Sequence, residues 1–469
     1  MNLPNYFLAD LPPEATLSPA MVTEACQALK RNRAQYLAQR STDSLVHLLC
    51  GVAKDWLQPE NRFRKLALEQ TWSAGLRHGA KDIAGNAGPE AGTPGPGFSR
   101  ATLEKGLDNF FRQFTPDNFH ALLVQELGDA DSPRHAAPVT RYLWHGPELL
   151  VHIAAGTIPN PALMSIVLGL LTRSAQFVKC ASGSAFLPRL FAHSIYEADA
   201  KAGACLEIAE WRGGHAGLES ALFAEADCVT TTGSDETLAA IRARLPVKTR
   251  FLGYGHRVSF GFVAHEVLSG FHAQKIVSRT ADDVVAWNQL GCLSPHVIYV
   301  QTGGEVSPEK FAERLADELE RREQTEPRGE LPAGHAAAIA SRRGIYEVRA
   351  AHAPETTRHW CSKNSTAWTV VYETDARFQL SCLNRFIYVK PVRDLAEALQ
   401  NAELVRGQVS TVGLGVPEHQ LEEMAGQLAQ WGVTRVCPLG RMQNPPLTWR
   451  HDGRPALGDL VTWMNVEMG

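Results

Sequence analysis

The sequence predicts an α/β protein with two α/β regions behind a mainly helical N-terminal region. Three observations carry this expectation. Apolar residues keep helical spacing through the first 130 or so positions; from residue 147 short apolar runs alternate with amphipathic segments; and Gly-, Thr- and Ser-bearing loops follow several of those runs.

Taken in order, residues 19–40 and 42–58 carry helical spacing, with Ser41 placed to N-cap the second segment. Gly85–Gly97, where eight of thirteen residues are Gly or Pro, interrupts helix and strand alike and reads as a linker. Ser99 then caps a helix bearing Leu103, Leu107, Phe110, Phe111 and Phe114, and Thr115-Pro116 opens another that closes near Gly128. Leu149–Ala154 reads as a strand, Asn160-Pro161 as the N-cap and first residue of a helix over Ala162–Leu171, and Gln176–Lys179 as the next strand. The alternation continues with a helix at 187–199, a strand at 206–209, a helix at 217–224 and a strand at 228–232. Such a run implies a mostly parallel sheet covered on both faces, with ligands at the carboxyl ends of its strands. Gly156-Thr157-Ile158-Pro159-Asn160, Lys179-Cys180-Ala181-Ser182 and Thr232-Gly233-Ser234 stand at those ends. Thr280 with Asp283 has the form of a capping box and predicts a helix from there to about Gly291, directly before Cys292. Further strands are expected at Val297–Val300, Trp368–Tyr372 and Phe386–Val389, with Ser307-Pro308 starting a helix to Arg322.

Charge and composition exclude several classes. Lys plus Arg number 46 against 50 Asp plus Glu, without the basic excess of a nucleic-acid binder. No signal-peptide pattern is visible at the N-terminus, and Ala162–Leu171 is half the length of a membrane span, so a soluble cytoplasmic protein is the expectation. Nine scattered cysteines form no CxxC pair, which argues against disulfides and against a thiolate metal site. HExxH, GxSxG and GxxxxGK[ST] are all absent.

Cys292 sits in Trp287-Asn288-Gln289-Leu290-Gly291-Cys292-Leu293-Ser294-Pro295, between an expected helix and a strand, where a side chain can face a cleft. A nucleophilic cysteine acts as thiolate, and a helix C-terminus just before it would oppose ionisation, so other groups would have to compensate.

Asn-Gln-x-x-Cys resembles the catalytic-cysteine segment of the aldehyde dehydrogenase superfamily, and Thr232-Gly233-Ser234-Asp235-Glu236-Thr237 resembles its Gly-Ser cofactor loop. The closer resemblance, over roughly residues 120–469, is to the LuxC-like acyl-CoA reductases, the fatty-acid reductases of bacterial luminescence operons. It is carried by Val151-His152-Ile153-Ala154-Ala155-Gly156, Phe177-Val178-Lys179, Gly255-His256-Arg257-Val258-Ser259-Phe260, Gln289–Pro295, Ser410-Thr411-Val412-Gly413 and His451-Asp452-Gly453. The resemblance implies a Rossmann-like NADPH-binding domain over 131–258 and a catalytic domain with C-terminal segment over 259–469, behind the helical region 1–130. It implies NADPH-dependent reduction of an acyl-CoA or carrier-bound acyl thioester to an aldehyde, with Cys292 as nucleophile, and a homo-oligomer. An acyl-transfer protein is a possible partner for the N-terminal region, and no metal is implied.

Lys179 matches the lysine that binds the cofactor's adenosine ribose, and Gly233 with Ser234 fits a helix N-terminus facing the pyrophosphate. Ser182 stands where NAD-preferring relatives often place a glutamate; a serine donates to a 2′-phosphate that a carboxylate would repel, which favours NADPH. Leu252–Arg257 replaces the segment that holds the hydrolytic general base and contains no carboxylate. The oxyanion-hole asparagine is missing near Thr157, leaving Thr157, Asn160 or the Cys292 backbone N–H for that role. Asn160 also reads as a plain helix cap. His256 is a candidate acid for the leaving group and His451 a second; each has a plain structural alternative. Trp287, Trp368 and Trp449 read as core, with an acyl tunnel as the alternative. The alternatives to a reductase are an aldehyde dehydrogenase working oxidatively and a nucleotide-binding scaffold without turnover.

Overall fold

The computed structural model describes residues 3–12, 14–69, 97–128 and 140–467; the Gly/Pro-rich stretch lies outside them up to residue 96. Ser18 and Ser41 accept hydrogen bonds from the Met21 and Ser44 N–H groups and so start α1 (Pro19–Asn32) and α2 (Thr42–Trp56). The helix read through residue 40 gives way after Asn32 to a wider π turn at Arg33–Leu37. Ser99 and Thr115 cap α3 (Arg100–Phe111) and α4 (Pro116–Leu127) in the same way, and Gly128 closes α4 at φ 75°.

Strand β1 (Thr140–His145) pairs antiparallel with β14 (Thr462–Glu467) near the end of the chain. The first large sheet holds β2 (Leu149–Ile153), β3 (Ala175–Cys180), β4 (Leu206–Glu210), β5 (Cys228–Thr232) and β6 (Arg250–Tyr254) in the order β4-β3-β2-β5-β6. Every pairing is parallel, so each connection crosses a face. The crossovers are α5 (Asn160–Leu171), α6 (Phe186–Ala198), α7 (Ala216–Glu225) and α8 (Asp235–Arg242). Strand order reverses between β2 and β5, which opens a crevice at their carboxyl ends. His152 ties the middle of the sheet, reaching Thr230 Oγ1 at 2.6 Å and Gln176 Oε1 at 3.1 Å, and burial pushes its imidazole down to about 4.

The N-terminal helices share their cores with this sheet's helices. Trp56 of α2 stacks on Phe111 of α3 at 5.0 Å and donates to Ser194 of α6, while Val22, Cys26 and Leu29 of α1 join Leu218 and Leu222 of α7.

The second sheet has the order β13-β12-β7-β8-β11-β10-β9. It is built from β7 (Val258–Val263), β8 (Pro295–Gln301), β9 (Thr357–Cys361), β10 (Thr369–Glu373), β11 (Phe386–Val392), β12 (Val409–Gly415) and β13 (Arg435–Pro438). All neighbours are parallel except β9 on β10. Its helices are α9 (Gly270–Val285), α10 (Pro308–Thr325, capped by Ser307 as expected), α11 (Ala333–His352), α12 (Leu395–Asn401) and α13 (Glu418–Trp431).

The expected helix from Thr280 to Gly291 is corrected: α9 starts ten residues earlier and stops at Val285. Neither cap-like residue caps. Thr280 Oγ1 bonds back to the Ile276 carbonyl, and the buried Asp283 carboxylate accepts from the Gly440 and Met442 N–H groups at 2.6 and 2.9 Å. No α-helix C-terminus therefore runs into Cys292.

Candidate active site

Three consecutive non-glycine residues after α9 adopt the left-handed conformation: Trp287, Asn288 and Gln289, at φ 50°, 52° and 65°. Each such residue costs about 1–3 kcal/mol and persists only where its surroundings over-determine it. They do. Trp287 packs edge-on to Phe98 at 5.2 Å and lies against Gly106 of α3. Asn288 donates to the Arg328 carbonyl at 2.9 Å and accepts from Arg385 Nε at 3.1 Å. Gln289 donates to the Pro295 and Phe386 carbonyls at 2.7 and 2.9 Å. Arg385 itself ends a second left-handed run, Leu383-Asn384-Arg385, so two strained turns lock each other.

Beyond this turn Gly291 and Leu293 are buried while Cys292 is solvent-accessible. Gly291 is held against the Gln443 side chain, which also donates to Ser294 Oγ. Ser259 of β7 donates from Oγ to the Cys292 carbonyl at 2.8 Å and accepts from the Thr411 N–H of β12 at 3.2 Å. Two segments singled out in the sequence, around Ser259 and around Thr411, thus converge on the backbone of the candidate nucleophile.

Enough protein surrounds the thiol that burial pushes it up to about 11. The Asp452 carboxylate pushes the same way, while the Cys292 N–H, Arg257 and Arg435 oppose it. Arg257 Nε pairs with Asp452 Oδ2 at 3.1 Å. Next to them the His451 ring stacks on Tyr254 at 4.5 Å and lies tilted against Trp449 at 4.7 Å, and burial outweighs Asp452 in lowering its pKa. Sequence reasoning looked for a carboxylate only in Leu252–Arg257 and missed Asp452, which comes from near the chain's end. Its signal was its place inside the His451-Asp452-Gly453 segment.

The residues expected to hold a nucleotide gather at the carboxyl ends of the first sheet. Lys179 is buried in β3, with its Nζ 5.8 Å from the Trp211 ring centre and no acceptor for its ammonium among the described residues. Ser182 is exposed in the turn after β3. Glu210, at the end of β4, accepts from the Gly183 and Ala185 N–H groups at 2.7 and 3.0 Å. Ser234 is the N-cap of α8, bonding the Thr237 N–H, and the Gly233 N–H is used by the Tyr254 carbonyl. A buried cation without an acceptor, an exposed serine and a helix start suit a phosphorylated ribose and pyrophosphate.

Thr157 is exposed in the loop after β2. Asn160 is corrected as a cap: Pro159 holds that position, and the Asn160 Oδ1 is buried with no hydrogen-bond partner among the described residues. The His256 ring is exposed, while its backbone N–H donates to Asp235 Oδ1 at 3.3 Å and its carbonyl accepts from Arg257 at 3.1 Å. Trp287 and Trp368 are buried, while Trp449 is half-buried beside His451. Among the described residues no cluster of His, Cys, Asp and Glu has metal-binding form, and no helix is long and apolar enough to cross a membrane.

A five-stranded parallel sheet with an open crevice, beside a second sheet presenting an accessible cysteine, defines an aldehyde-dehydrogenase-like protein. Solved structures agree on the fold. A putative aldehyde dehydrogenase from Anabaena variabilis superposes at TM-score 0.67 with 14% identity, covering 97% of this chain and 94% of its own. Aldehyde dehydrogenase C from Pseudomonas syringae, solved as a mutant with NAD+ and octanal, superposes at 0.68 with 12% identity over 97% and 90% of the two chains. Within that class the chain belongs to the acyl-CoA reductase (LuxC) family, whose model matches residues 95–463. Long-chain acyl-protein thioester reductases of Photobacterium leiognathi and Aliivibrio fischeri are 22% and 23% identical over 68% of this chain; the matched stretch spans 63% of each relative's length.

Proposed function

We propose that this protein reduces a fatty acyl thioester, carried on CoA or on a protein, to the aldehyde through an acyl-cysteine on Cys292, with NADPH as reductant. The observation that carries the reading is Cys292 itself: accessible between two buried neighbours, and directly after a strained turn tied to distant parts of the chain. The family supports the same chemistry. Cys292 Sγ attacks the thioester carbonyl and the bond to the carrier sulfur breaks, leaving the acyl group on the enzyme. The Cys292 N–H and a side-chain donor, Thr157 or the Asn160 amide, stabilise the oxyanion. Lys179, Ser182, Gly233 and Ser234 hold the cofactor, which supplies the hydride. Collapse of the resulting thiohemiacetal releases aldehyde and restores the thiol.

NADPH consumption by the purified protein with short, long and aromatic acyl-CoAs, with products identified by mass spectrometry, tests this. Aldehyde formation that disappears in Cys292→Ala is the expected result; aldehyde formation that survives the substitution refutes it. The oxidative alternative has one supporting observation, the Asp452 charge acting on Cys292, since a carboxylate there could take a proton from water. Free acid made from aldehyde and NADP+ would favour it.

A further inference from the structure

We propose that Asp452 is the proton-transfer residue of acyl exchange: its Oδ1 takes the Cys292 thiol proton as Sγ attacks, then returns it to the departing carrier thiolate. The inference rests on the acyl-cysteine reading and assigns that reaction's proton route.

Two chains of contact, both running through Ser259, bring the Asp452 loop to the nucleophile. Ser259, whose hydroxyl holds the Cys292 carbonyl, lies two residues after Arg257, whose guanidinium holds Asp452 Oδ2. On the other side Thr411, which donates to Ser259, receives Arg435 at 3.4 Å. Arg435 lies 5.7 Å from the Trp449 ring, and Trp449 lies against the ring of His451, the neighbour of Asp452. Between these supports Asp452 adopts φ 53°, and its side chain is only 7% exposed. One oxygen is paired with Arg257. The other, Oδ1, is buried with no hydrogen-bond partner among the described residues, and the nearest ring nitrogen, His451 Nε2, stands 3.9 Å away. A buried carboxylate oxygen left open, on a residue whose charge reaches the nucleophile, is costly unless a proton or ligand visits it.

The charged and titratable groups interacting with this carboxylate are Arg257, His451 and Tyr254, besides the thiol; Arg435 acts on the thiol, and Arg454 on His451 and Tyr254. Arg454 is engaged with Asp459 and the Gly253 carbonyl. Asp452 is the largest charged influence on the Cys292 thiol. A thiol that stays protonated at neutral pH must lose its proton during attack, and a fixed acceptor makes that possible. The bookkeeping closes: S–H breaks as Oδ1–H and Sγ–C form, the carbon–sulfur bond to the carrier breaks, and the same proton passes from Oδ1 to the carrier thiolate. No redox partner is needed for this half of the reaction.

Asp452→Asn tests it, since Asn tolerates the left-handed backbone and leaves an oxygen for Arg257. Two rates are compared with the full chain: acylation by hexadecanoyl-CoA, followed by rapid-quench intact-protein mass spectrometry, and alkylation of Cys292 by iodoacetamide across pH. Removing the negative charge should speed alkylation at pH 8, yet acylation should slow by roughly 100-fold or more. Acylation that rises with alkylation, or stays within about twofold of wild type, overturns the proposal. Should the Asn variant melt abnormally, Asp452→Glu keeps the carboxylate and is expected to acylate within about tenfold of wild type; a Glu variant as slow as the Asn variant overturns it equally. Failure of the underlying reading shows separately, as reductase activity that survives Cys292→Ala.

Discussion

The Trp287 indole rests so closely on Gly106 of α3 that a Cβ there would stand 2.1 Å from Cζ2. The helical N-terminal region is thereby fitted to the turn that presents Cys292. Inside a helix Gly→Ala normally stabilises by up to about 1 kcal/mol. At Gly106 the sign should reverse: overpacking against Trp287 costs about 1–3 kcal/mol and shifts the left-handed turn. Gly51 of α2 has nothing within 4 Å and provides the control. Thermal melts should show Gly106→Ala below and Gly51→Ala at or above wild type, with reductase activity lost only in the former. Equal melting temperatures would mean that Trp287 does not anchor the turn.

Ser259 has a narrower task. Its hydroxyl bridges the part-buried Cys292 carbonyl and the buried Thr411 N–H, so Ser259→Ala takes a partner from each, at about 1–3 kcal/mol. A nucleophile misplaced by a fraction of an ångström loses reactivity more than binding, and kcat is expected to fall roughly 10- to 100-fold with KM nearly unchanged. Steady-state kinetics decide this; a loss confined to KM would remove Ser259 from the positioning of Cys292.

Local rules made four of the first sheet's five strands legible; β6 was not among the expected strands. The four are short apolar runs bounded by caps and glycines, and Cys228–Thr232 and Leu149–Ile153 fall within a residue of the expectation. The same rules misplaced α9, because Thr280 and Asp283 have the composition of a cap but bond to Ile276 and to the Gly440–Met442 segment. Cys292 was readable from its segment. What holds it was not, since of left-handed Trp287, Asn288 and Gln289 only the asparagine favours that conformation, and the turn is imposed by Gly106, Arg328, Arg385 and Phe386 from remote parts of the chain. Asp452, 160 positions after Cys292 by number, is the same kind of case.

Glu207 on β4 gives stability a pH dependence. Burial pushes its carboxyl up to about 8 against the ordinary 4.5, with Asp10 adding to the rise and the Leu8 and Ile208 N–H groups opposing it. The folded chain therefore keeps a proton that the unfolded chain releases, so this group's contribution is complete below about pH 4.5 and lost as pH climbs through 8. Glu207→Gln removes the ionisation while leaving an oxygen for both N–H donors. The variant should melt close to wild type at pH 5 and roughly 2 °C or more above it at pH 9. A gap that is constant between the two pH values would show that Glu207 does not titrate across this range.

In the proposed NADPH site, the 2′-phosphate would be read by Ser182 and Glu210, which follow β3 and end β4 respectively. Cys180 pairs with Glu210 in the sheet, and the Glu210 oxygens are both committed to the Gly183 and Ala185 N–H groups at the start of α6. The acid of this corner is thus tied to backbone dipoles, and the exposed Ser182 hydroxyl with the Lys179 ammonium is left to meet a 2′-phosphate. Ser182→Glu introduces a carboxylate with no such restraint. Two like charges about 5 Å apart at an effective dielectric constant of about 20 repel by roughly 3 kcal/mol, less what salt screens. The kcat/KM for NADPH should fall by about 10- to 100-fold while that for NADH changes little or rises, because a ribose 2′-hydroxyl can donate to the new carboxylate. Glu210→Gln, which loosens the turn without adding charge, should leave the ratio of the two cofactors within about threefold of wild type. If the Ser182→Glu ratio is unchanged while the Glu210→Gln ratio moves, the 2′ position is read from β4 and Ser182 is a surface residue.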